Sequence, residues 1–337
     1  MGSWRTRSPI EALPGQWRTP LAYLALVAAL LTLVTAHEWG EMLHQWWDID
    51  TYNHILLVPL IIIWLVWLRA GDLAVLSPKP FAPAIALVAA GLALWLAGRV
   101  TGINLIAHAG AVGALQGAVV AILGVRISLV LALPLAFGVF LVPFGDEIIP
   151  ILQSITAKIA ITLTIWSGIP AVIDGIFIDT PVGLFIVAEA CSGVKFLIAM
   201  VTLATLVCFT RFSSWSRRAL FMAAAILVPI LANGVRAWGT IYIAQSAGVE
   251  FAAGFDHIFY GWIFFAVVVV IVLGCAWRFF EMDPDDYGPS VHAVDDLPIV
   301  ARLERGAETY GVVLASVAAL AITAAVSAVL FAPQALI

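Results

Sequence analysis

Charge is what this sequence has least of. Only 11% of its 337 residues are charged and 63% are hydrophobic, against roughly a quarter charged and half apolar in a soluble domain. That balance excludes an ordinary water-soluble fold and makes the bilayer the expected solvent, so the unit to count is the spanning helix of about 20 apolar residues. Cysteine is scarce too. Cys191, Cys208 and Cys275 have no spacing that suggests a metal site, and an odd count in an envelope protein leaves at least one free thiol. Cys191 and Cys208 are expected at opposite ends of one helix, about 25 Å apart at 1.5 Å per residue, too far for a disulfide. The net charge of -5 is small and divided among loops, which argues neither for nucleic acid nor for an acidic substrate. There is no internal repeat or low-complexity tract.

What is there is apolar and punctuated. Runs between charged or turn-rich stretches predict an all-α polytopic membrane protein with about nine spans: 20–36, 54–68, 82–98, 104–124, 128–144, 186–208, 219–243, 257–279 and 309–331. The first run follows arginines, and Val34-Thr35-Ala36 resembles a cleavage site. Its length favours an uncleaved anchor over a signal peptide. The chain then divides into an N-terminal segment with the first helix (1–36), a membrane core (37–280), a polar linker (281–308) with Asp283, Asp285, Asp286, Asp295 and Asp296, and an additional helix (309–337) without an assigned role.

Orientation follows from the basic residues, which collect on the cytoplasmic side. With the N-terminus inside, the inner segments hold twelve of the 16 Lys and Arg residues, and the outer loops only Arg99 and Lys158. Lys195 and Arg236 remain inside predicted helices. The outer segment 145–185 is unlike a loop. Residues 151–160 read as an interfacial or re-entrant helix, and 171–181, β-rich and bounded by Gly and Pro, as a short extended or hairpin element leading towards Cys191. Trp39, Trp46 and Trp47 in the first outer loop read as an interfacial aromatic belt.

Polar groups inside spans are costly, and ionisable ones there are candidates for function. Three clusters fall just under the same outer face: Glu189-Ala190-Cys191-Ser192-Gly193-Val194-Lys195, then Asn233 with Arg236, then Asp256-His257. Cys191 and Lys195 are four apart and Asn233 and Arg236 three apart, so each pair is expected to share a helix face. Cationic groups beside a cysteine favour the nucleophilic thiolate, a histidine can carry a proton to a leaving amine, and an arginine can donate to an oxyanion without losing its charge. Cys191, Arg236 and His257 therefore suffice for thiol acyl transfer, with Glu189, Ser192, Lys195, Asn233 and Asp256 as supporting residues. Plainer roles compete with these. Arg236 can snorkel or pair with Glu189 or Asp256, His257 can be solvated at the interface, and Asn233 can be an interhelical hydrogen-bonding residue. Cys208 and Cys275 read as small buried hydrophobes. His54 is a further candidate for the same site, with solvation at the interface as its alternative, and Asn104, His108 and Gln116 read as interhelical glue.

At Glu189-Ala190-Cys191-Ser192-Gly193, Asn233-Gly234-Val235-Arg236-Ala237 and Asp256-His257-Ile258-Phe259-Tyr260-Gly261-Trp262 the sequence resembles the exosortases, most closely the exosortase A type. Pro143-Phe144-Gly145 and Ser167-Gly168-Ile169-Pro170 look like that family as well, and the likeness runs from about residue 40 to 280. The resemblance implies a cysteine peptidase or transpeptidase of the bacterial inner membrane, its site facing the periplasm. It would act on membrane-anchored proteins that end in a PEP-CTERM signal, which is a Pro-Glu-Pro motif, a transmembrane helix and a basic tail. Cys191 would be the nucleophile, Arg236 the oxyanion or thiolate stabiliser, and His257 the proton-transfer group, with no metal or organic cofactor and an acyl acceptor left open. Lys195 stands where the family commonly has Arg, and the two are not equivalent where a planar fork is needed. A transporter lined by Arg236, Lys195 and Glu189, or an exopolysaccharide-assembly subunit in which these charges only hold helices together, is the alternative. Thiol dependence separates them from the peptidase. On the peptidase reading the 171–181 element binds substrate, so that Asp at Phe177 and Ile178 is expected to impair processing.

Overall fold

The computed structural model describes residues 14–249, 261–304 and 309–331. The chain forms the expected all-helical polytopic architecture with little sheet. Its long helices are α1 (Arg18–Val34), α2 (Ala36–Asp48), α3 (Val58–Leu68), α4 (Ile85–Thr101), α5 (Asn104–Leu123), α6 (Ile149–Trp166), α7 (Val194–Arg211), α8 (Trp215–Ala247), α9 (Gly261–Trp277) and α10 (Tyr310–Phe331). Among the described residues seven helices are long and apolar enough to cross a membrane, or eight if the α2 and α3 segments, bent by 107° at their junction, are one broken span. The chain divides into two compact units, one of Met1–Pro143 with Gly288–Ile337 and the other of Phe144–Tyr287.

In the first unit α4 and α5 pack backbone to backbone. A Cβ on Gly98 would lie 2.3 Å from the Ala107 nitrogen and one on Gly110 2.2 Å from the Trp95 nitrogen, so only glycine allows the approach. Small residues at such a contact are how helices associate where lipid removes the hydrophobic drive. His108 and Gln116 act as interhelical glue, through Glu41 Oε2 at 3.2 Å and the Leu135 carbonyl at 2.7 Å. Asn104 sits exposed at the start of α5. The predicted loop after α1 is helix α2, which buries Trp46, with its Nε1 donating to the Leu141 carbonyl at 3.1 Å, and leaves Trp47 exposed. Trp39 stacks edge-on against Trp46 at 6.5 Å. The predicted span 54–68 is a 3-10 turn, Asn53–Leu57, followed by the 11 residues of α3. The predicted span 128–144 breaks into Val125–Val130, Ala132–Phe137 and Gly138–Leu141. Pro134 explains the break, because its ring clashes with the carbonyl four residues back, at Val130, where the first piece ends. Part of the polar linker folds onto this unit through Arg126, which meets Glu304 at 3.1 Å and Asp295 at 3.3 Å.

In the second unit α7, α8 and α9 share a core that includes Met200, Ala204, Cys208, Phe221, Ala225, Val268 and Val272. Cys208 is the small buried hydrophobe expected, whereas Cys275 is exposed on α9 and is not part of that core. Glu281 closes the far end. Its Oε2 accepts from Ser213 N, Ser213 Oγ and Ser214 N at 2.8, 2.9 and 3.0 Å, and Oε1 pairs with Arg217 at 3.0 Å, capping the start of α8. These bonds, the Ser214 amide foremost, hold its carboxyl below the usual glutamate range.

The segment 145–185, expected to hold an interfacial or re-entrant helix and a hairpin, instead contains one of the seven stretches long and apolar enough to cross a membrane, Asp146–Trp166, followed by a three-stranded sheet. Its helix, α6, has 18 residues and runs alongside the second half of α8: Gly234 meets Ile159, and Trp238 Nε1 donates to Ser167 Oγ at 2.9 Å. Three antiparallel strands follow in the order β1 (Val172–Asp174), β2 (Phe177–Thr180) and β3 (Gly183–Ile186). Ile178 opposite Phe185 and Phe177 opposite Ile186 set the register. Alternation then sends Ile178, 1% exposed, against Ala157, Ala160 and Ile161 of α6, while Phe177, Leu184 and Ile186 face outward.

Candidate active site

The helix expected from 186 to 208 is present but starts later and ends at Arg211. Residues 183–186 are strand, Glu189–Cys191 is a 3-10 turn, and α7 begins only at Val194. Gly193 separates turn from helix with φ of +85°, a left-handed conformation that side chains other than glycine's resist. Cys191 and Lys195 therefore do not share a helix face, and the spacing argument for that pair fails. Lys195 is half-buried in the first turn of α7, with its ammonium 5.2 Å from the Phe196 ring centre. Glu189 is exposed, and its carbonyl accepts from Ser192 N at 3.0 Å. Ser192 is buried and its Oγ accepts from Val194 N at 3.3 Å, which makes it part of the turn.

The turn is pinned from two helices. Asn233 of α8, 5% exposed, donates through Nδ2 to the Cys191 carbonyl at 2.8 Å and to Thr156 Oγ1 of α6 at 3.0 Å. Gln153, one turn earlier on α6, donates to the Val187 carbonyl at 2.8 Å. Space is as tight as the bonding: a Cβ on Gly193 would sit 2.8 Å from Asn233 Cγ. The Asn-to-cysteine contact thus depends on glycine twice, for its backbone angle and for its missing side chain.

These elements enclose a cavity of about 70 Å³. Cys191, half-buried, Asn233 and Arg236, 8% exposed, line it together with Ile178, Phe185 and Ile241. The expected pairing of Asn233 with Arg236 on one face of α8 is realised, and Cys191 reaches the same cavity from a turn 42 residues earlier in the chain than Asn233. Lys195, Glu189 and Ser192 are not among the described residues that line it. His257 and Asp256 lie outside the described residues. Thr156, Gln153 and Gly193 were not singled out by sequence reasoning. The first two looked like the polar face of an interfacial helix, and only their partners across the fold show what they do. The backbone N–H groups of Cys191 and Ser192 are both committed to turn bonds, to the Ala188 and Glu189 carbonyls at 2.9 and 3.0 Å. Arg236 is the cationic residue among the described residues that line the cavity with Cys191.

Fold and site define a multi-pass helical membrane protein with a thiol, a carboxamide and a guanidinium gathered at one small cavity. The family model described as transmembrane exosortase (Exosortase_EpsH) matches residues 46–274. That is more than half of the chain, and the chain belongs to the transmembrane exosortase family, membrane-embedded enzymes of protein sorting. No curated protein and no solved structure matches it.

Proposed function

We propose that this chain is a cysteine peptidase or transpeptidase that cuts C-terminal PEP-CTERM sorting signals from membrane-anchored proteins at the periplasmic face of the inner membrane. The observation that carries the reading is the meeting of Cys191 and Arg236 at one cavity, with Asn233 holding the cysteine's own carbonyl. The thiolate of Cys191 attacks the scissile carbonyl carbon, and Arg236 donates to the oxygen as it becomes negative. Collapse of the tetrahedral intermediate breaks the C–N bond, His257 supplies the proton the leaving amine needs, and a thioester remains on Cys191. Water or an acceptor amine or hydroxyl then attacks the thioester, releasing the thiol.

Membrane-anchored substrates suit a site built among spanning helices, because the anchor confines the scissile bond to the depth of the cavity. Ile178 and Phe185 line that cavity and extend the substrate proposal from 171–181 to the third strand. The outer-face orientation rests on the distribution of Lys and Arg, and Lys195 supplies positive charge nearby without touching the reacting atoms. The test is processing of a co-expressed PEP-CTERM protein, read by gel shift at matched membrane levels. Wild type should shorten the substrate and Cys191→Ala should not, with Arg236→Ala and His257→Ala ranking the supporting roles. Equal processing by Cys191→Ala would move a carrier or an assembly subunit to the front.

A further inference from the structure

Resting on the peptidase reading above, we propose that the open edge of β3 receives the substrate chain as an added strand, which holds an extended polypeptide by its backbone beside Cys191.

The sheet runs in the order β1-β2-β3, so β3 is paired on one side only among the described residues. Its register says which groups are left over. Val187 N donates to the Ile176 carbonyl at 3.0 Å. In an antiparallel pair, residues that exchange bonds alternate with residues that do not. Gly183 and Phe185, opposite Thr180 and Ile178, therefore turn their N–H and C=O groups towards β2, and Leu184 and Ile186 turn theirs away. The Ile186 carbonyl accepts from Ala188 N at 3.0 Å. The N–H and carbonyl of Leu184 and the N–H of Ile186 have no partner among the described residues, and the two residues are 58% and 54% exposed. Donor, acceptor and donor thus stand in a row on one accessible edge. Natural edges are blunted by charge, proline or a bulge, because an open one pairs with any extended chain. Gly183-Leu184-Phe185-Ile186 is short but carries none of these.

Where the edge leads says what covers it. β3 continues through Val187 and Ala188 into the turn that bears Cys191. Phe185 and Ile186 both line the cavity of Cys191, although successive side chains of a strand point to opposite faces. The cavity therefore reaches the edge of the strand as well as its inner face, and a chain laid on that edge is carried to the thiol. Main-chain bonds of this kind give affinity, while every second side chain falls on the Phe185 face beside the cavity and gives selectivity. The bonding also makes a demand on the substrate backbone. Every second residue turns its N–H to β3, so proline, which has none, is excluded there and accepted at the positions between.

The experiment uses the full chain in membranes with a co-expressed PEP-CTERM protein, its cut position read by mass spectrometry. Single Pro and single Ala substitutions are placed along the residues flanking the scissile bond. Beyond the effect of Ala, Pro should slow shortening about tenfold at alternate positions, the scale of one backbone hydrogen bond, and little at those between. On the enzyme, Leu184→Pro removes an outward N–H and no bond to β2. It should unfold at the wild-type temperature yet process about tenfold more slowly than Leu184→Ala. If Leu184→Pro does not fold, the substrate scan decides alone. Shortening that depends on Cys191 but shows no alternation in the scan overturns the edge and leaves the peptidase standing, whereas shortening that does not need Cys191 overturns both. A wild-type dimer that Leu184→Pro converts to a monomer, with processing at the Leu184→Ala rate, would put a second copy on the edge and overturn the proposal likewise.

Discussion

Replacing Asn233 by Ala separates the stability of the site from its chemistry. The carboxamide makes two buried hydrogen bonds, to the Cys191 carbonyl at 2.8 Å and to Thr156 Oγ1 at 3.0 Å, and it reaches none of the reacting atoms through them. Losing them should lower stability by about 2 kcal/mol, one net hydrogen bond each at about 1 kcal/mol, plus part of the cost of stranding a buried carbonyl. Thr156→Val removes the second bond together with the longer one from Thr156 Oγ1 to the Ser192 carbonyl at 3.5 Å, leaves the Cys191 carbonyl bond in place, and should lose about 1 kcal/mol. Processing should respond on a different scale. Once the turn is released, a shift of about 1 Å in the thiol is worth about a hundredfold in rate. The assay pairs thermal unfolding of the purified protein with the rate of substrate shortening at equal membrane levels. Asn233→Ala should remain inserted and folded, slow processing by about a hundredfold, and exceed Thr156→Val clearly in rate but only modestly in stability. Asn233→Ala at wild-type rate would refute the argument that the carboxamide positions the nucleophile, as would equal rate losses in the two variants.

Gly193→Ala should be at least as damaging to processing, because the left-handed angle costs about 1–2 kcal/mol and the new methyl is driven into Asn233; normal processing with unchanged unfolding would contradict it. Phe177 and Ile178, grouped by sequence, are separated by the sheet. Phe185→Ala and Ile178→Ala, altering the cavity wall, should slow processing, whereas Phe177→Asp on the outward face should leave it near wild type, and the reverse order would show that substrate docks on the outer face. The Glu281 carboxyl is held low by hydrogen bonds to the charged form, so the folded state binds fewer protons there than the unfolded one. Its stabilising effect is complete above the unfolded value of about 4.3 and is lost as pH falls through the lower folded value. Unfolding of wild type and Glu281→Gln, followed from about pH 7 to about pH 3, should converge at the acid end; a constant gap would exclude ionisation as the cause.

The sequence by itself determined the solvent and the class of this protein and pointed to its candidate chemical residues. Charge is too scarce for water, apolar runs recur at membrane length, and a cysteine and an arginine stand where hydrocarbon makes polar groups costly. Those signals are local in the chain and so survive without a fold. Helix breaks were legible only in part. Pro134 is visible as a residue, but the break at Val130 emerges from its clash with a carbonyl one turn back. Cys191 was placed correctly in the chain and wrongly in a helix, because periodicity cannot see that Gly193 takes a left-handed angle. Only the tertiary structure decided that Thr156, Asn233 and the Cys191 carbonyl share one set of hydrogen bonds, since each partner lies many residues from the next and satisfies a group that sequence cannot know to be buried.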